Sequence, residues 1–192
     1  EKKRVNAMER GKILLMNPVY LKTKKFLGGY TDFKMDGNDV EYNYNYGISA
    51  WFFIRAQPPS YGASYNKYTS ILNYGDKPNI LYNGAKNTLQ IKMNNGKNKK
   101  PIIYEIKKFP LQKWNNVVIN YDSGILDIFM NSKLVASISN VLPYMSMDQL
   151  TVGDAHGIGG GVCNVVYFPS VMSKERIDMN YRILRNKNPP VL

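Results

Sequence analysis

The chain has 192 residues, of which 44% are apolar and 21% are charged, and it contains a single cysteine. The length allows one substantial core, the lone Cys163 excludes an internal disulfide, and no apolar run reaches the roughly 18 to 20 residues of a membrane span. The 26 Lys and Arg residues outnumber the 14 Asp and Glu residues and give a formal net charge of +12. We therefore expect a disulfide-free domain that does not cross a membrane.

The positive charge favours a polyanionic partner, such as an acidic glycan, anionic lipid, nucleic acid or an acidic protein surface. The alternative is that the lysines form a solvated surface in a chain generally rich in Lys, Asn, Tyr and Ile. We predict no specific nucleic-acid partner. The first residues, Glu1–Arg4, lack the apolar segment of a signal peptide.

Residues 1–27 mix charges with short apolar clusters and predict an extended basic arm. From residue 28 onwards, short runs with strand-like alternation follow one another, separated by turn residues. We expect one β-sandwich domain over residues 28–186 and a tail over 187–192. The predicted strands are Tyr30–Met35, Val40–Tyr46, Ile48–Arg55, Thr69–Tyr74, Asn79–Tyr82, Thr88–Met93, Ile102–Ile106, Asn115–Tyr121, Ile125–Met130, Leu134–Ile138, Leu150–Val152 and Gly161–Phe168.

The stretch from Pro110 to Ile138 is the clearest structural signal. Apolar residues alternate with a period of two, and the alternation breaks at Asp122-Ser123-Gly124 and at Asn131-Ser132. This pattern predicts an antiparallel meander. Ile48–Arg55 is apolar on both faces, which indicates a central strand covered on both sides. One helix is predicted near the end of the chain, with Ser173 as its N-cap.

Catalytic chemistry is poorly supported. The five glutamates lie far apart, so the paired carboxylates of a glycosidase are missing from the pattern. The chain has one histidine, His156, and Cys163 lies in an apolar strand, where a buried and inert thiol is the usual outcome. The glycines at 157–161 lack the lysine of a phosphate-binding loop. We predict that the chain is not an enzyme.

Several features could bind a ligand. The loop Pro58–Tyr68 places tyrosines among Ser, Gly and Asn, a composition typical of recognition loops, and a mobile loop without a ligand is the alternative. The lysines after Asn94-Asn95-Gly96 could contact anions, although a solvated turn is the simpler explanation. Tyr42, Tyr44 and Tyr46 share one predicted strand face and could stack against sugars. The alternative is that these tyrosines are half-buried against a neighbouring strand. Oxygen-bearing side chains between Asp36 and Glu41 could hold calcium, and an Asx-type turn is the alternative.

The sequence resembles the laminin-G-like, concanavalin-A-like jelly-roll domains over roughly Tyr30 to Leu184. Four segments carry the likeness: ISAWFFIRA from Ile48, SILNYGD from Ser70, the meander from Pro110, and LTVGDAHGIGGGVCNVVYFPSVMSKERI from Leu150. The chain departs from the family at Ser132, where the family has glycine, and at Asn164, where an acidic residue is usual. The resemblance implies two antiparallel sheets and a binding role through rim loops. It also extends to proteins encoded by large DNA viruses.

We therefore predict an all-β, two-sheet antiparallel jelly-roll sandwich with one short C-terminal helix. Its predicted function is non-catalytic recognition or attachment, binding a glycan or an acidic protein surface at the cell surface or on a virion. The alternative is a structural virion protein, whose basic arm and tail hold neighbouring subunits. No cofactor is predicted, with calcium as the open alternative. The predicted ligand-binding residues are Tyr61, Tyr65, Tyr68, Lys97, Lys99, Lys100, Asp154 and His156.

Overall fold

The computed structural model describes residues 10–33, 44–59, 63–146 and 148–187. Within these ranges, strands fall into one sheet of seven and one of six, and all pairings are antiparallel. The strands are β1 Lys12–Leu15, β2 Val19–Tyr20, β3 Lys25–Gly29, β4 Tyr46–Ile54, β5 Thr69–Tyr74, β6 Asn79–Asn83, β7 Thr88–Met93, β8 Ile102–Lys107, β9 Trp114–Asp122, β10 Ile125–Met130, β11 Lys133–Ile138, β12 Gln149–Val152 and β13 Gly160–Phe168.

The larger sheet has the order β1-β13-β4-β9-β10-β11, with β2 also paired to β13. The smaller sheet has the order β3-β12-β5-β6-β7-β8. The two sheets enclose one core that includes Ile48, Phe52 and Ile119 from the larger sheet and Leu72 and Ile91 from the smaller one. This arrangement confirms the predicted two-sheet jelly-roll sandwich.

Strand β4 is the central strand that the sequence predicted. Its residues Ile48, Ala50, Phe52 and Ile54 point into the core, while Trp51 belongs to a second cluster on the opposite face of the sheet. Such a strand needs apolar side chains on both faces because both faces are covered.

Helix α2, Lys174–Leu184, covers the outer face of the larger sheet. Ser173 caps it as predicted, with its Oγ accepting from the backbone N–H of Arg176 at 3.3 Å. The buried Ile177 and Leu184 join the cluster around Trp51, and the ring of Tyr181 stacks on Trp51 with centroids 5.6 Å apart. A second, single-turn helix, α1 Ala63–Asn66, precedes β5. None of the described helices has the length and apolarity to cross a membrane.

The meander is present with the predicted strands. Ile125–Met130 pairs with β9 on one side and with β11 on the other. Both turns hold residues in the left-handed region: Ser123 and Gly124 at φ 48° and 92°, and Asn131 and Ser132 at φ 50° and 67°. Positive φ at both central residues is the type I′ geometry that two-residue hairpins prefer.

The strand prediction for Tyr30–Met35 was wrong over its described part. Tyr30–Phe33 forms a 3₁₀ helix instead. The carboxylate of Asp32 accepts a hydrogen bond from the backbone N–H of Gly29 at 2.7 Å, which turns the chain at the end of β3. Of the predicted strand Val40–Tyr46, residues 40–43 lie outside the described part of the chain, and Tyr46 begins β4.

The predicted N-terminal arm is integrated into the sandwich over its described part. β1 and β2 pair with β13, and β3 pairs with β12, so the segment contributes to both sheets. The boundary predicted between residues 27 and 28 falls inside β3. The physical reason is that Leu14, Leu15 and Leu27 pack against the main core.

Candidate functional site

Those predicted site residues that the structure describes lie at two opposite ends of the sandwich. Connections between successive antiparallel strands alternate between the two ends of a sheet. The turn between β6 and β7 is therefore at one end, which we call the tyrosine end, and the loop between β7 and β8 is at the other, which we call the lysine end. The six residues of β7 separate the two loops by about 20 Å.

Three loops meet at the tyrosine end. The hydroxyl of Ser64, in α1, donates to the backbone carbonyl of His156. The backbone N–H of Ala85 donates to the carbonyl of Tyr65 at 2.9 Å. The side chain of Gln57 bridges to Gly159 twice, donating to its carbonyl and accepting from its N–H, both at 2.9 Å. These bonds hold the loops after β4, β6 and β12 together.

Tyr68 is the centre of a polar cluster beside these loops. Its hydroxyl donates to Glu105 Oε1 at 2.6 Å, and Gln90 Nε2 donates to the same oxygen at 3.2 Å. The ammonium group of Lys86 lies 5.8 Å from the centre of the Tyr68 ring. Gln90 and Glu105 are cross-strand partners on β7 and β8, so the sheet itself sets their separation.

The cluster also sets the charge state of its members. Desolvation, reinforced by the hydrogen bond to Glu105, raises the pKa of Tyr68 to about 12. The hydrogen bonds from Tyr68 and Gln90 lower the pKa of Glu105, and nearby Lys107 and Lys86 act in the same direction. At neutral pH the cluster therefore presents an ionised carboxylate, a neutral phenol, an amide and a cation next to one aromatic ring. Such groups can bind hydroxyls and amides.

Four of the eight predicted residues are placed at the tyrosine end, namely Tyr65, Tyr68, Asp154 and His156. Asp154 and His156 lie on the loop between β12 and β13, where the N–H of Gly157 donates to the carbonyl of Asp154 at 3.0 Å. His156 is exposed, and Tyr65 is half-buried. Tyr61 lies outside the described residues.

The three predicted lysines are at the other end of the molecule. Lys97, Lys99 and Lys100 are exposed on the loop between β7 and β8. The ammonium group of Lys97 lies 4.9 Å from the centre of the Tyr144 ring. One small ligand therefore cannot contact these lysines and the tyrosine end together. The described residues among the eight therefore belong to two separate surfaces.

Sequence reasoning missed Glu105, Gln90 and Lys86. Glu105 is 37 positions from Tyr68 and was considered only as one of five scattered glutamates. A signal was nevertheless present: pairing the predicted strands Thr88–Met93 and Ile102–Ile106 as a hairpin places Gln90 opposite Glu105.

The other candidates do not form sites among the described residues. Of the tyrosine stripe, Tyr46 is fully buried in the core, Tyr44 is exposed, and Tyr42 lies outside the described residues. Cys163 is fully buried in β13 while His156 is exposed. The described ranges contain no group of three or more His, Cys, Asp or Glu that could hold a metal ion. The calcium candidates between Asp36 and Glu41 lie outside the described residues.

These features define a two-sheet jelly-roll sandwich with a polar and aromatic rim. The sequence profile described as the concanavalin A-like lectin/glucanases superfamily matches residues 27–178. The chain belongs to this superfamily, as its resemblance to laminin-G-like domains implied. A comparison with curated proteins found no match.

Solved structures with a similar fold include binding domains of botulinum neurotoxins. The receptor-binding domain of botulinum neurotoxin D is 16% identical with a TM-score of 0.65, and the likeness covers 91% of this chain and 46% of that one. The binding domain of botulinum neurotoxin DC, solved in complex with rat synaptotagmin II, is 16% identical with a TM-score of 0.58 and coverages of 74% and 36%. This chain thus spans less than half the length of these structures, and the likeness concerns the fold.

Proposed function

We propose that this chain is a non-catalytic binding module that recognises a glycan through its tyrosine end. The observation that carries this proposal is the cluster in which Tyr68 donates to Glu105 at 2.6 Å and Gln90 donates to the same oxygen. An aromatic ring with fixed hydrogen-bonding groups beside it suits a sugar, because the ring stacks on the apolar face and the polar groups bind the hydroxyls.

The chemistry of Glu105 supports binding rather than glycoside hydrolysis. A general acid needs a raised pKa so that it carries a proton at neutral pH. The pKa of Glu105 is lowered by the hydrogen bonds from Tyr68 and Gln90. Glu105 therefore serves as a permanent acceptor, and Tyr68, with a pKa of about 12, remains a donor.

The similar structures support a binding role in general terms. They are described as receptor-binding or binding domains, one in complex with rat synaptotagmin II and another in complex with SialylT. Their low identity to this chain means that they do not identify its ligand, and the choice of a glycan rests on the Tyr68 cluster.

The assembly alternative has less support. It required a basic arm that holds a neighbouring subunit, whereas β1, β2 and β3 of this arm pair with strands of the same chain in both sheets. We therefore favour recognition over a structural role in a particle.

The test is a glycan array that carries neutral, sialylated and sulfated glycans, read at low and high salt. We expect selective binding that persists at high salt, because hydrogen bonds and stacking are screened less than surface charge. Tyr68→Ala should weaken it at least tenfold and Glu105→Gln severalfold. Tyr144→Ala, which removes a tyrosine at the lysine end, is the matched control and should change nothing. If no glycan binds, or if folded Tyr68→Ala binds equally well, the proposal is wrong.

A further inference from the structure

Large apolar side chains are exposed next to the lysines at the lysine end. Leu142 is 58% exposed, Tyr144 is 54% exposed and Ile125 is 46% exposed. Ile125 follows Gly124 in the chain, and a Cβ placed on Gly124 would lie 3.9 Å from Leu142 Cδ2, so the backbone before Ile125 lies beside Leu142 at this end. Single exposed apolar residues are common, but a group of them on neighbouring loops indicates a contact surface.

Specific hydrogen bonds fix this patch against the lysine loop. The backbone N–H of Leu142 donates to Asn95 Oδ1 at 2.9 Å, and that of Tyr144 donates to Asn94 Oδ1 at 2.7 Å. The N–H of Val141 donates to the carbonyl of Gly124 at 2.9 Å. The three loops therefore form one surface, and the apolar side chains are held in an exposed position by their backbones.

The loop beside the patch carries three positive charges. Lys97, Lys99 and Lys100 are exposed on this loop. Of the acidic groups described at this end, Asp148 is paired with Lys77 at 2.8 Å, Asp76 is half-buried and accepts from Asn79 Nδ2 at 3.2 Å, and Asp32 and Asp122 are exposed. Lys97 lies over the ring of Tyr144, which joins the basic and the apolar parts of the surface.

We propose that the lysine end, through Leu142, Tyr144, Ile125 and the three lysines, docks on lipid bilayers that contain anionic lipids. Leucine and isoleucine side chains enter the boundary of the acyl region, a tyrosine ring lies at headgroup level, and lysine side chains reach lipid phosphates. This surface is separate from the tyrosine end, so the proposal stands independently of glycan binding.

The composition of the surface favours a bilayer over other occupants. A soluble polyanion would use the lysines but leave Leu142 and Ile125 in water. A second copy of a chain with a net charge of +12 would bring like charges together at this end. A bilayer with anionic headgroups satisfies both the lysines and the apolar side chains.

The first test is co-sedimentation with vesicles of phosphatidylcholine alone and of phosphatidylcholine with phosphatidylserine. We expect binding to the anionic vesicles that weakens as salt rises. Each lysine near an anionic surface contributes about fivefold to affinity, so the triple variant Lys97→Ala/Lys99→Ala/Lys100→Ala should lose on the order of 100-fold. The matched control Lys107→Ala/Lys108→Ala/Lys113→Ala removes equal charge at the tyrosine end and should lose much less.

The second test reports insertion directly. Because Cys163 is fully buried, a cysteine introduced at the surface can be labelled alone with an environment-sensitive dye. A dye on Leu142→Cys should shift to the blue with anionic vesicles. A dye on Leu134→Cys, at a residue that is 52% exposed near the tyrosine end, should not. Failure of wild-type protein to bind anionic vesicles, equal losses in the two lysine variants, or equal dye responses at the two positions would each overturn the proposal.

Discussion

Lys77 and Asp148 form a buried ion pair at the lysine end, with Lys77 Nζ 2.8 Å from Asp148 Oδ2 and 4.0 Å from the centre of the Tyr74 ring. The lysine side chain has no exposed surface, whereas that of Asp148 is 29% exposed. Burial lowers the pKa of Lys77. For Asp148, partial burial acts in the opposite direction, but hydrogen bonds from Lys77 and Ser146 leave the pKa lowered. The two partners therefore depend on each other unequally.

Because Lys77 is more deeply buried than Asp148, removing Asp148 should lower the free energy of unfolding more than removing Lys77. Asp148→Ala leaves a buried cation without its carboxylate and should lower the free energy of unfolding by about 3 kcal/mol. Lys77→Met leaves a carboxylate that water can reach and should lower the free energy of unfolding by less than about 1.5 kcal/mol. Urea denaturation of both variants and of the double variant measures this. Equal costs for the two single variants would contradict the burial argument.

Alkaline pH should weaken the fold partly through Tyr68. Its pKa in the folded state is about 12, above the ordinary value of 10.0. A raised pKa contributes stability below pH 10 that is lost as the pH rises towards 12. Tyr82, whose pKa burial also raises to about 12, contributes in the same direction. The loss of stability between pH 8 and pH 11, measured by urea denaturation, should be smaller in Tyr68→Phe than in wild type.

The substitution Ser132→Gly in the β10–β11 turn should stabilise the fold. Ser132 adopts φ 67°, a left-handed conformation that glycine enters without a side-chain penalty. Ser132→Gly should raise the free energy of unfolding by about 0.5 kcal/mol, a gain limited by the loss of the Ser132 hydrogen bond to Asp178. Thermal denaturation should show an increase of about 1 to 2 °C. A lower melting temperature would mean that this hydrogen bond outweighs the turn conformation.

The loop that carries Asp154 and His156 depends on Gly153. This residue has φ +72°, and a Cβ on it would overlap the carbonyl oxygen of Thr23. Since backbone atoms cannot move aside easily, Gly153→Ala should lower the free energy of unfolding by about 2 kcal/mol or more. Gly159→Ala is the control, because a Cβ there would meet its nearest neighbours, the side-chain atoms of Gln57, at 3.6 Å. Equal destabilisation of the two variants in urea would contradict this reading.

Local patterns in the sequence predicted most of the strands. Thr69–Tyr74, Thr88–Met93 and Ile125–Met130 match the structure residue for residue, because alternation and turn residues are local properties. Tyr30–Met35 was wrong over its described part because the bond from Gly29 to Asp32 turns the chain, and alternation alone does not reveal it.

The site was harder to predict than the fold. Loop composition pointed to Tyr65 and Tyr68, and the expected binding role of rim loops pointed to Asp154 and His156. All four lie at one end. The predicted hairpin pairs Gln90 with Glu105, but no local pattern shows that Tyr68, 37 positions before Glu105, lies beside that pair. Strand direction places Lys97, Lys99 and Lys100 at the opposite end from Tyr65 and Tyr68. The types of these residues do not indicate this separation.

The opposite placement of the two surfaces has a geometric consequence. The longest strands of the sandwich, such as β4 and β13, have nine residues and extend for about 30 Å. The loops of the two proposed binding surfaces are closer, since the six residues of β7 separate them by about 20 Å. A glycan at the tyrosine end and a bilayer at the lysine end, as proposed, would therefore be held on opposite sides of a rigid sheet.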